Sequence, residues 1–183
     1  MLSAKSLGAY IGKETEQPIK AAIDSFSCKD KDAEHFLKNK AIEFEKRNKS
    51  RTYLVFDETK YLSGDGTILA YFTLSLKSLK FGSTLSKNKI KDIDGFSKEV
   101  GGVAIALIGQ LGKDEKEAKH VSGSDLLELC MEFIHQVQNL IGGRYVLVEC
   151  QDFEKIVKYY LANNFERLQL DDSDNYLQMV RRL

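Results

Sequence analysis

The sequence predicts one α/β domain over residues 1–183, a mixed sheet covered by helices. Three observations lead there. A chain of 183 residues is long enough for one full hydrophobic core and short for two. Apolar β-branched runs alternate with 3.6-periodic segments from Ser27 onward. Turn signals near both ends set hairpins around a central strand–helix–strand–helix stretch.

The first twenty residues carry only a weak pattern. From Ser27, with Asp30 or Asp32 placed to cap, Ala33, Phe36, Leu37, Ala41 and Phe44 recur at helical spacing and predict one helix ending near Arg47 and Asn48. Arg51–Asp57 and 68–76 read as strands joined across Ser63-Gly64-Asp65-Gly66. In the charged excursion 77–102, Leu85, Ile90 and Ile93 outline a short helix. A strongly apolar strand follows at 103–111, then a polar loop to Gly123. The helix 124–141 carries Leu127, Cys130, Met131, Ile134, Gln138 and Ile141 on its stripe, and Gly142-Gly143 ends it. Tyr145–Cys150 is a buried strand, and 153–162 a helix with Phe153, Ile156, Val157 and Tyr160 inward. Asn163 is placed to end that helix. Strands at 165–170 and 176–181 flank a turn at 171–175.

Composition narrows the function classes. A 43% hydrophobic and 30% charged chain is an ordinary globular sequence. Zero formal net charge gives no global attraction to nucleic acid or to a membrane surface. Cys28, Cys130 and Cys150 are odd in number and lack CxxC spacing, which favours free thiols in a reducing compartment over a disulfide framework or zinc site. The start of the chain is a poor signal peptide and no apolar run approaches the ~20 residues of a membrane span, so the expected location is the cytoplasm. His35, His120 and His135 show no ligand spacing, and no metal site is expected.

No phosphate loop, GxGxxG, GxSxG or HExxH pattern is present. What stands out is a buried strand, a polar loop and a helix start between Val103 and Leu127. A helix start offers unpaired N–H groups and partial positive charge to an anion. Ser122-Gly123-Ser124 removes bulk there, although a serine before an apolar helix also serves as a plain N-cap.

The run from Leu111-Gly112-Lys113 through Lys119-His120-Val121-Ser122-Gly123-Ser124 to Leu127 resembles, without a gap, the acetyl-CoA segment of the GNAT superfamily of N-acetyltransferases. Val146-Leu147-Val148-Glu149-Cys150 and Ile156-Val157-Lys158-Tyr159-Tyr160-Leu161-Ala162-Asn163-Asn164-Phe165 are similar to the family's next strand and its A-x-x-F-Y-x-x-x-G-F helix. Upstream, Phe26-Ser27-Cys28, Phe36-Leu37, Thr52-Tyr53-Leu54-Val55 and Ala70-Tyr71-Phe72 look like the branch that includes toxin–antitoxin acetyltransferases. Two positions depart from the pattern. Val121 stands where glycine is usual and resists positive φ, so the loop either takes another path or holds a pyrophosphate less tightly. Asn164 replaces a glycine more mildly.

The resemblance implies a mostly antiparallel sheet with a splayed central strand pair, and acetyl-CoA as co-substrate. The strand 105–113, with Leu111, Gly112 and Lys113 at its end, would pair with its pantetheine arm, while Lys119, His120, Val121, Ser122, Gly123 and Ser124 would hold its pyrophosphate. Tyr160 would protonate the leaving thiolate, though it also suits simple packing. Glu149 is the side-chain candidate for the base, with a solvent-facing strand end or water as the alternatives. Three functions stay open: transfer of acetyl to an unidentified primary amine, a toxin acetylating aminoacyl-tRNA, and a non-catalytic acyl-CoA-binding or interaction protein. Neutral charge weighs against the second and the altered loop favours the third. An antitoxin, tRNA and a homodimer partner are the associated expectations.

Overall fold

The computed structural model describes every residue except Asp172 and Asp174, so the turn expected at 171–175 lies partly outside the described residues. Seven strands, β1 (Leu2–Ser6), β2 (Arg51–Asp57), β3 (Ala70–Lys80), β4 (Gly102–Lys113), β5 (Tyr145–Cys150), β6 (Glu166–Leu170) and β7 (Leu177–Arg182), are hydrogen-bonded in the order β1-β2-β3-β4-β5-β7-β6. The β1–β2, β2–β3, β5–β7 and β6–β7 pairs are antiparallel and β4–β5 is parallel. The helices are α1 (Glu16–Ser25), α2 (Lys31–Asn39), α3 (Ala41–Lys46), α4 (Glu58–Leu62), α5 (Lys87–Asp94), α6 (Gly123–Ile141) and α7 (Glu154–Ala162). The expected mixed, mostly antiparallel sheet with helices is therefore present. The chain forms two compact units, residues 1–75 with 110–131 and residues 76–109 with 132–183.

The first unit buries Leu7, Ile23, Phe26, Leu37, Leu54, Phe56 and Tyr71 in one core. Asp30 caps α2 by accepting from the Asp32 and Ala33 N–H groups at 3.0 and 3.1 Å. The Tyr71 hydroxyl, deep in this core, donates to the Ala33 carbonyl at 2.5 Å, which gives a buried phenol the partner it needs. The single helix expected to Arg47 is instead broken at Lys40 (φ −124°, ψ −30°). Beyond the break α3 brings Glu45 to the Arg51 guanidinium and the Thr52 N–H, both at 2.9 Å. Strand β1 and helix α1 had no clear signal in the sequence. Only Ile19 and Ile23 of α1 are buried, and Pro18 sits in its first turn, where a missing N–H costs nothing.

The second unit packs Leu79, Ile93, Ile105, Tyr145, Leu147 and Val180 together. The short helix expected in the charged excursion is α5, capped by Ser86. Gly142 and Gly143 take φ +79° and +127° and end α6 as expected. Two expected inward residues point out: Ile141 is 67% exposed and Phe153 60% exposed. Ile141 belongs to the last turn of α6, and Phe153 is the residue before α7 rather than part of its face. Asn164, not Asn163, adopts the left-handed conformation after α7 (φ +64°), and the Phe165 N–H closes the helix onto the Tyr160 carbonyl at 3.0 Å.

Candidate active site

In the first unit β4 ends in Leu111, Gly112 and Lys113, and its continuation is shaped by a buried carboxylate that no sequence motif marks. Asp114 accepts from the Ser27 N–H at 2.8 Å and from the Lys116 N–H at 2.8 Å, while its own N–H donates to the Leu69 carbonyl. Gly112 is required by close approach, because a Cβ there would stand 2.4 Å from the Tyr71 ring.

Val121 resolves the question posed by the missing glycine. Its φ is not positive, its side chain is 1% exposed, and its carbonyl accepts from the Lys113 ammonium at 2.7 Å. The loop takes a path in which a β-branched residue serves as a core anchor. Ser122 then caps α6 reciprocally: its Oγ accepts from the Asp125 N–H at 3.0 Å, and Asp125 accepts from the Ser122 N–H at 3.2 Å. Lys119, His120 and Ser124 are exposed, and His120 lies 3.5 Å from Glu117. From Lys113 to Asp125 three lysines face four carboxylates, so this segment carries no excess of positive charge.

In the second unit the parallel pair β4–β5 is joined over three residues only, Ala106–Ile108 against Val146–Val148. Glu149 and Cys150, next on β5, pair with Gln178 and Leu177 of β7. Glu149 is therefore the first residue of β5 beyond its pairing with β4. It is neither a solvent-facing strand end nor an isolated carboxylate. Its Oε1 accepts from the Lys77 ammonium at 2.5 Å and from the Gln178 amide at 2.9 Å. Gln178 also donates to Asp171 at 2.8 Å, and Lys77 reaches Asp171 at 3.4 Å. Bonds from Ser173, aided by the Lys77 charge, hold the Asp171 carboxyl down at about 2. Burial works against the Lys77 charge, but Glu149 and Asp171 outweigh it and raise the ammonium's pKa.

Tyr160 lies half-buried on α7, edge-on to Phe165 (ring centroids 5.4 Å apart) and to Tyr159 (5.0 Å). Residues 111–124, expected from the sequence to meet acetyl-CoA, belong to one unit, and Tyr160 and Glu149 to the other. The three thiols are free and buried. Burial raises the pKa of each, to about 11 for Cys150, which excludes a resting thiolate nucleophile at neutral pH. Among the described residues no cluster could hold a metal ion, and no helix is long and apolar enough to cross a membrane.

No protein-family model and no curated protein matches the sequence. Solved structures match over almost the whole chain. AtaT complexed with acetyl-methionyl-tRNAfMet is 18% identical, with a TM-score of 0.71 over 97% of this chain and 94% of that one. A mutant of KacT is 21% identical, with a TM-score of 0.70 over 97% and 93%. AtaTR bound with acetyl-CoA is 18% identical, with a TM-score of 0.69 over 97% and 92%. The fold is that of AtaT and KacT. The GNAT-like architecture implied by the sequence is thereby borne out, and the strand pair that parts after three residues fits its splayed centre.

Proposed function

We propose that this chain is an acetyl-CoA-dependent N-acetyltransferase of the toxin type, with the amine of an aminoacyl-tRNA as acceptor. The observation that carries this reading is the β4–β5 pair, joined over three residues and then parted, in the fold of AtaT. AtaT has been solved with acetyl-methionyl-tRNAfMet, and a mutant of the AtaT toxin with acetyl-CoA and the C-terminus of the antitoxin AtaR. A cytoplasmic setting and an antitoxin partner belong to the same proposal.

In this reading Leu111 to Lys113 offer strand edge to the pantetheine arm, and Lys119, His120, Ser122, Gly123 and Ser124 meet the pyrophosphate. The acceptor nitrogen attacks the thioester carbonyl, and the C–S bond breaks as the tetrahedral intermediate collapses. Tyr160 donates its proton to the departing thiolate, whose reference pKa of about 8.5 makes that donation worthwhile near neutrality. The acceptor must reach the thioester as a neutral amine, having lost one proton.

One observation favours a second reading, an acyl-CoA-binding protein without turnover. Ser122 is engaged in its own cap and the loop has more carboxylates than lysines, which weakens the hold on a pyrophosphate. Incubation with radiolabelled acetyl-CoA and a panel of charged tRNAs separates the two. Transfer to the aminoacyl group is expected. Binding of acetyl-CoA without transfer to any amine supports the second reading, and absence of both binding and transfer refutes each of them.

A further inference from the structure

The neutral total conceals an uneven distribution of charge. Residues 77–98 carry six lysines against two carboxylates. Near the end of α5, within that segment, Asp92 gathers three cations. Arg182 Nη1 stands 3.6 Å and Arg144 Nη2 3.9 Å from its Oδ1, and Lys89 lies 3.9 Å from its Oδ2. Asp92 is itself tied down, because the Tyr145 hydroxyl donates to Oδ2 at 2.5 Å. The two guanidinium groups stand too far from Oδ1 for a full hydrogen bond, so most of their donors stay unused. Among the described residues Arg182 donates no hydrogen bond, and Arg144 donates one, from Nε to the Asp92 carbonyl at 3.1 Å. Their side chains are 64% and 44% exposed, so both forks open to solvent. The other carboxylate present, Glu166, is engaged by Lys89. Three cations against two carboxylates leave the group with one net positive charge. Lys91 and Lys98, on α5 and just after it, make no ion pair among the described residues.

The same turn presents an aromatic ring. Gly95 ends α5 at φ +92°, and the Arg144 side chain lies over it, with Cδ 2.7 Å from where a Cβ would stand. Phe96 follows at once and is 89% exposed. Its backbone is fixed, since the Asp94 carboxylate accepts from the Phe96 N–H at 3.1 Å and the Ser97 N–H at 2.7 Å. A ring that stands clear of the surface suits face-on stacking by a planar base better than insertion of an apolar side chain. Stacking on an aromatic beside cations is also how single strands of nucleic acid are held. Two guanidinium forks that meet at one point match the oxygens of a phosphate. We infer that Arg144, Arg182 and Phe96 form a binding site for single-stranded RNA, with a phosphodiester between the two arginines and an unpaired base on the ring. The site lies at the start of β5, about 13 Å along the strand from Glu149. It deepens the aminoacyl-tRNA reading, on which it rests for the identity of the RNA, by giving that substrate a hold away from the reacting amine.

The test is fluorescence polarisation of the full chain with a short labelled single-stranded RNA across a salt series. Arg182→Gln and Phe96→Ala alter exposed side chains, so both variants should fold. Arg182→Gln should weaken binding and make the slope of log affinity against log salt shallower by about 0.7, the share of one phosphate contact on a single strand. Phe96→Ala should weaken binding by about fivefold to a hundredfold at unchanged slope, as loss of a stacked base does. Lys31→Gln, which removes an exposed cation on α2, should change neither quantity. Wild-type affinity in Phe96→Ala, an unchanged slope in Arg182→Gln, or an equal loss in Lys31→Gln overturns the inference. Polyglutamate that displaces the RNA from the wild type and from Phe96→Ala alike would mark the patch as a surface for an acidic protein, and overturns it too. In acetyl transfer Arg182→Gln and Phe96→Ala should raise the KM for charged tRNA with little change in kcat, and should leave transfer to methionine methyl ester unaltered. The polarisation assay contains no acetyl-CoA, so RNA binding without any acetyl transfer would sink the activity proposal and not this site.

Discussion

Lys113 and Val121 are joined by a 2.7 Å hydrogen bond from the lysine ammonium to the valine carbonyl, closing the loop between β4 and α6 on itself. The loop is thereby anchored at both its charged and its apolar end, since the Val121 side chain is buried. Replacing Val121 by the glycine usual at this place should thus remove a core side chain without improving the loop. We expect Val121→Gly to lose about 2–4 kcal/mol, from lost burial and added chain entropy. Urea denaturation measures the loss, and calorimetry should find no gain in acetyl-CoA affinity. A stable variant with tighter binding would show that the loop prefers the other path.

Gly112→Ala should destabilise by about 1–3 kcal/mol, because the new methyl meets the Tyr71 ring at 2.4 Å and that ring is fixed by its bond to Ala33. Gly66→Ala is the comparison, since its Cβ meets nothing within 4 Å. Thermal melting of the two variants should separate them clearly, and equal melting temperatures would contradict the close packing.

Asp171, held by Ser173 and beside the Lys77 ammonium, predicts a pH signature. The Asp171 carboxyl sits at about 2, below its reference of about 3.9, so its stabilisation is complete above that reference and is lost as pH falls towards 2. Lys77 is shifted upward, so its contribution is present below the reference of about 10.4 and is lost as pH rises through the raised value. Asp171→Asn should therefore flatten the stability profile between about pH 4 and 2. Some acid dependence must persist, because Glu34 is also lowered to about 2, chiefly by the Cys28 N–H. An unchanged acid limb in Asp171→Asn would mean that the bonds from Ser173, with the Lys77 charge beside them, do not hold Asp171 in solution.

Tyr160→Phe should keep the edge-on contact with Phe165 and lose the proton donor. Acetyl-CoA affinity should be unchanged while kcat falls by about 10²–10⁴. Tyr159→Phe, about 100° around α7, is the control and should stay active. Full activity in both variants would reduce Tyr160 to a packing residue.

Local chemistry was enough to read much of this chain. Strands β2 and β5 were legible to the residue because Arg51–Asp57 and Tyr145–Cys150 are short apolar or β-branched runs bounded by polar residues. The end of α6 was legible because Gly142 announces left-handed backbone, and the start of α2 because Asp30 caps it, whereas the left-handed residue after α7 is Asn164 and not the expected Asn163. The last core residues of α6, Cys130 to Ile134, followed from helical spacing alone. Strand β1 was not legible, because none of its residues is fully buried and its strand state comes from antiparallel pairing with β2, fifty residues away. The break at Lys40, the inward turn of Val121 and the exposure of Phe153 depend on partners that spacing does not encode. The same holds for the site. Tyr160 and Glu149 could be named as candidates from their neighbours in sequence, but Lys77, Asp171 and Gln178 carry no motif; strand pairing sets Gln178 opposite Glu149, and only the tertiary fold brings Lys77 and Asp171 to that group. Propensity, capping and periodicity act over a few residues and are written in the sequence, whereas a carboxylate's environment is made by whichever distant side chains the sheet register places beside it.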